Sequence, residues 1–209
     1  MAKYLELHDG SCPLFKHAPE LVYKKALSDL DALASQQMTI SSQEEVNYWL
    51  DVLFKLPMIK AIKATSYGEF KEWMALDSWW LQDYFRLHRV AHKRGATIER
   101  TFIVRNEHQA KTVETVFKNN RKYNVLVKVA IEGRIRAADM DAKNCLVFCD
   151  KRNEPVYALV AHHTHKEEFQ SAVIFGAPSE VAKVATMYAH IDNIAEPYEA
   201  DELVPLKTA

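Results

Sequence analysis

The chain has 209 residues, 27 Lys+Arg against 28 Asp+Glu, and a formal net charge of −1. Its 48% apolar and 26% charged residues exclude a disordered chain, a collagen-like repeat and a coiled-coil rod. The length suffices to bury a real core, and the overall charge by itself points to neither nucleic acid nor a membrane surface.

Lys3, Glu6 and Asp9 interrupt any apolar core that a signal peptide would need. No run approaches the roughly 20 apolar residues that span a bilayer. Three cysteines are too few for a disulfide framework. Cys145 and Cys149 share one face of a strand about 13 Å apart, too far to ligate one tetrahedral metal, and read as small buried hydrophobes. The expectation is a cytoplasmic protein without a membrane span.

Residues 1–57 read as a helical extension. Val22, Ala26, Leu30 and Leu33 recur at helical spacing after Pro19, and SQQMTIS follows as a polar loop. A second helix starts at Ser42 with Glu45 as its capping-box partner, shows Val46, Trp49, Leu50 and Leu53 on one face, and ends at Pro57. Residues 58–198 read as an α/β domain. Ile59–Ala64 is a short strand, and a helix over Ser78–Arg94 carries Trp80, Tyr84, Leu87 and Ala91, with Gly95 at its C′ position. Trp79 and Trp80, being adjacent, cannot both face one surface of that helix; one of them points to the N-terminal helices, a partner subunit or a ligand cavity. Ala96–Arg105 is a strand with Ile98, Phe102 and Val104 on one side, and Asn106 caps a helix carrying Val113, Val116 and Phe117.

Val125–Ile131 is the most β-rich run. Cys145–Cys149 and Val156–Ala161 form a hairpin around Asp150–Glu154, and Ser171–Gly176 is a last strand. Pro178 opens a helix with Val181, Val184, Tyr188 and Ile191 on one face. The order predicts a mixed β-sheet flanked by helices, with residues 199–209 as an acidic flexible tail.

The strand IKAIKAT, the helix entered through DSWW and closed by HKRGATIERTFIV, the hairpin NCLVFCD…PVYALV and the helix ending HIDNIAEPY together resemble the phospholipase D-like fold. The resemblance is to small domains of that type that have lost catalysis and accompany bacterial regulatory modules. It implies a non-catalytic regulatory, ligand-sensing or protein-interaction module. It also implies a homodimer, because active sites in that fold form between two copies and this chain has one. Catalytic members carry H-x-K-x-x-x-x-D, whose His attacks phosphorus while the Lys stabilises the phosphoryl oxygens. None of the nine histidines here has Lys two residues on. His92 with Arg94 and Glu99 comes nearest in spacing, but straddles a helix end and a strand.

Two further sites stand as alternatives. His162, His163 and His165 lie in AHHTH and could contribute to a metal centre, although a solvated turn explains them as well. DMDAKN pairs Asp139 with Asp141 but lacks the glycine and distal Glu of a calcium loop, and reads as a polar connection. There is no P-loop, G-x-S-x-G or H-E-x-x-H, and no cofactor is expected. The charge is unevenly spread. Residues 86–136 hold thirteen basic against four acidic side chains, a net +9, flanked by −4 before and −6 after. Arg86, Arg89, Lys93, Arg94, Arg121 and Lys122 are the candidate contacts to phosphate or nucleic acid. The competing expectation is that this basic middle pairs with its acidic flanks.

Overall fold

The computed structural model describes residues 35–68, 70–75, 78–164 and 168–198, apart from the side chains of Glu72 and Trp80. The helix expected around Val22–Leu33, His165 and the acidic tail lie outside them. The chain divides into two units, Met1–Met38 and Thr39–Ala209, and the second holds nearly everything described here.

Eight strands form one mixed sheet: β1 (Gln37–Ile40), β2 (Ala61–Tyr67), β3 (Thr97–Val104), β4 (Val125–Ile131), β5 (Cys145–Cys149), β6 (Pro155–His163), β7 (Phe169–Phe175) and β8 (Glu196–Pro197), in the order β1-β7-β6-β5-β2-β3-β4-β8. β2, β3 and β4 are parallel neighbours, while β5 runs antiparallel on the other side of β2, so the strand order reverses between β2 and β5. β5, β6 and β7 form an antiparallel meander.

Helices cover both faces: α1 (Gln43–Lys55), α2 (Lys71–Met74), α3 (Trp79–Lys93), α4 (Glu107–Thr112), α5 (Glu114–Lys122) and α6 (Pro178–Asn193). Val181, Val184, Tyr188 and Ile191 of α6 are buried against Ile103, Ala130, Cys145, Val147, Cys149, Ala158 and Val160. On the opposite face Phe54 of α1 is fully buried and meets the rings of Tyr84, His88 and Phe148. Phe102 there touches Phe70, Trp73 and Phe117.

Local chemistry explains the boundaries. Ser42 Oγ accepts from the Glu45 backbone N–H at 3.2 Å, although the Glu45 carboxylate reaches the Ser41 N–H rather than that of Ser42. Asn106 Oδ1 caps α4 by accepting from Gln109 N–H at 2.9 Å. Gly95 ends α3 with φ +76°, the left-handed conformation in which a side chain is strained. In the β5–β6 hairpin, Asp150 Oδ1 accepts from the N–H groups of Arg152 and Glu154, and Asn153 takes φ 63°.

Four expectations change. SQQMTIS, read as a loop, contains β1, whose alternation is masked by polar exposed positions. The strand read as Ile59–Ala64 is shifted to Ala61–Tyr67. The helix after Asn106 is two helices broken at Val113. The connection that holds DMDAKN contains a 3-10 segment, Ala137–Ala142, that buries Asp139.

Candidate functional site

The strand order reverses between β2 and β5, and the carboxyl ends of the parallel strands at such a reversal are where open α/β sheets place their ligand crevice. Tyr67 ends β2, Arg105 follows β3, Glu132 follows β4, Lys143 and Asn144 precede β5, and His163 ends β6. The Tyr67 hydroxyl donates to Glu132 Oε1 at 2.9 Å, and Lys143 Nζ lies 5.0 Å from the centre of the Tyr67 ring. Burial, reinforced by Glu132 and partly offset by Arg105, raises the Tyr67 pKa, so the phenol keeps its proton. Gln109 binds the floor, accepting from Arg105 N–H at 2.7 Å and donating to the Gly68 carbonyl at 3.0 Å.

Asn144 links the two sides of the crevice. Its Oδ1 accepts from the Tyr67 backbone N–H at 2.8 Å, which fixes the amide's orientation because that N–H can only donate. Its Nδ2 therefore faces His163 Nδ1, 3.4 Å away. A neutral His163 that accepts at Nδ1 carries its proton on Nε2. Cys145, next along the chain, is fully buried and hydrogen-bonded to Thr65. Burial pushes its thiol up to about 11, so it is not a thiolate at neutral pH.

The sequence-derived candidates fall elsewhere. Arg89, Lys93, Arg94, Arg121 and Lys122 sit at or near the C-terminal ends of α3 and α5, just before β3 and β4 begin, and so at the opposite edge of the parallel strands. Arg86 pairs with Asp51 at 2.9 Å and Asp83 at 2.6 Å. Arg94 donates to the Phe54 carbonyl and Arg121 to the Tyr198 carbonyl. Arg89 stacks over Tyr123, and Lys122 reaches Asn119 Oδ1 at 3.5 Å. Lys93 projects into solvent.

The rest of the basic segment is dispersed. Arg100 is buried, Lys118 pairs with Glu114, Lys128 with Glu99 and Asp192, Arg134 with Glu196, and Arg136 with Asp139. The thirteen cations do not converge on one groove, and several meet the acidic flanks.

His92, Arg94 and Glu99 are not assembled: Arg94 binds α1, whereas Glu99 turns to the α6 face and takes Lys128 at 2.5 Å. His162 is exposed and His163 joins the crevice, and among the described residues no three His, Cys, Asp or Glu side chains are grouped to hold a metal. Trp79 is exposed. Among the described residues, no helix is long and apolar enough to cross a membrane.

No family model and no curated protein matches the chain. Solved structures do. The polyphosphate kinase of Porphyromonas gingivalis is 12% identical with a TM-score of 0.54, over 78% of this chain and 27% of that one. The phospholipase D family member Nuc of Salmonella typhimurium is 10% identical with a TM-score of 0.51, over 78% of this chain and 98% of that one. NucT of Helicobacter pylori is 10% identical with a TM-score of 0.50, over the same shares. At these identities the likeness establishes the fold, which is phospholipase D-like; this chain spans about a quarter of the kinase's length.

Proposed function

We propose that the chain is a ligand-sensing module of phospholipase D-like fold that recognises an anionic ester, a phosphodiester in the first instance, without hydrolysing it. The observation that carries this reading is the Tyr67–Asn144–His163 chain of hydrogen bonds. Arg105 and Lys143 supply positive charge to the crevice, and the Tyr67 and Glu132 side chains order it. The imidazole there presents a protonated Nε2, which donates to an oxygen rather than attacking phosphorus. The missing H-x-K-x-x-x-x-D motif is consistent with this. We further read the module as a cytoplasmic homodimer, with the ligand or a protein partner altering its state.

The test is a titration of bis(4-nitrophenyl) phosphate followed by calorimetry and by nitrophenolate release. Saturable binding that weakens at least tenfold in Lys143→Ala, with no release, is the expected result. The second reading, a divergent phosphodiesterase, rests on His163 standing in the crevice. Release that disappears in His163→Ala would favour it. Nucleic-acid binding through residues 86–136 loses support, because those side chains occupy both ends and both faces of the sheet.

A further inference from the structure

Arg100 lies on the α3 face of β3, in the row formed by Ile98, Phe102 and Val104. It is 3% exposed. Its Nη1 donates to Ser66 Oγ at 2.6 Å and its Nη2 to the Tyr84 hydroxyl. Its Cζ is 4.8 Å from the centre of the Trp73 ring, 5.2 Å from Tyr84 and 6.0 Å from Phe102.

Among the described residues this environment holds no negative charge. Nε is buried and has no acceptor, and no carboxylate of the described residues pairs with the guanidinium. The nearest titratable neighbours do not supply one. Burial keeps Tyr84 protonated, and burial with the Arg100 charge keeps His88 neutral, 4.5 Å from the Tyr84 ring. Both His88 nitrogens are likewise without partners. Removing a guanidinium from water is costly unless it is paired, and aromatic faces with two hydroxyl acceptors offset only part of that cost.

We propose that Arg100, Ser66 and Tyr84 form a binding site for one small monocarboxylate, covered by the indole of Trp73. A carboxylate matches the planar fork of the guanidinium, and a single negative charge neutralises it without burying an excess. Two of the five guanidinium N–H groups donate to Ser66 and Tyr84, which leaves the Nε–H and one N–H on each Nη, with the Ser66 hydroxyl proton beside them, to bind it. The cover is short: α2 is four residues long, enters through Phe70 at φ 57° and has no side-chain cap, and the Trp73 ring lies edge-on to Tyr84 and Phe102. The site is separate from the crevice proposed above, because Ser66 and Tyr67 point to opposite faces of β2.

The experiment titrates the full chain with sodium benzoate at constant ionic strength, with neutral benzamide as control. Melting temperature and tryptophan fluorescence are both followed. A saturable rise in melting temperature with benzoate and none with benzamide is expected, together with a fluorescence change lost in Trp73→Phe. Arg100→Met removes the response; Ser66→Ala and Tyr84→Phe, which leave the cation in place, each weaken binding about fivefold. Equal responses to benzoate and benzamide, or unchanged affinity in those two hydroxyl variants, would overturn the proposal even if Arg100→Met fails to fold.

Discussion

Asp51 of α1 and Arg86 of α3 bind one another across the helix pair, Oδ1 to Nη2 at 2.9 Å, while the other Asp51 oxygen takes Lys55 at 2.5 Å. The Lys55 and Arg86 hydrogen bonds hold the Asp51 carboxyl below the usual carboxylate range. Arg86 was one of six candidate contacts to a polyanion, and here an acid from the preceding flank claims it. The near-zero net charge is thus realised inside the fold, one pair at a time.

Because this pair is partly exposed, it stabilises modestly. A double-mutant cycle on Asp51→Asn and Arg86→Gln, read by urea unfolding, should give a coupling of about 0.2–1 kcal/mol that shrinks in high salt. A coupling of zero at low salt would show that the contact contributes nothing.

Asp139 predicts an acid-side sensitivity. Arg136 binds it through two hydrogen bonds, at 2.7 and 3.0 Å, and lowers its pKa against the opposing effect of burial, with His190 adding a third contact. A carboxylate whose folded pKa is depressed contributes stability above its unfolded value near 3.9 and loses it as pH falls through the folded pKa. Asp139→Asn should therefore cost about 2 kcal/mol at pH 7, a deficit that closes below about pH 4. Unfolding curves at pH 7, 5 and 3 measure this. A deficit constant across that range would assign the effect to packing.

The secondary structure that local chemistry dictates is readable in the sequence. Val181, Val184, Tyr188 and Ile191 fall at helical spacing and are the four side chains α6 buries. Asn106 caps as its position implies. The crevice is not readable, because its residues come from the ends of β2 and β6, the residue after β3 and the two ends of the β4–β5 connection, and no spacing joins them. Arg100 did carry a signal: it occupies the inward-facing position between Ile98 and Phe102, where the period-2 pattern demands an apolar side chain.

Asn144 makes the tautomer of His163 testable. In the wild-type protein at a pH above the imidazole's titration, nitrogen-15 NMR should find the proton on Nε2. Asn144→Asp keeps an acceptor for the Tyr67 N–H but replaces the amide donor with an anion. That change should move the proton to Nδ1, where it donates to the new carboxylate. A wild-type proton already on Nδ1 would make Nε2 the unprotonated, nucleophilic nitrogen and would remove the main support for a non-catalytic crevice.

Recognition without hydrolysis is most directly tested by holding the full chain at saturating bis(4-nitrophenyl) phosphate, after calorimetry has measured the affinity, and recording nitrophenolate over a day. Binding that depends on Lys143, with release no faster than in buffer, is the predicted result. Release above buffer that His163→Ala abolishes, or no binding at all, would contradict it.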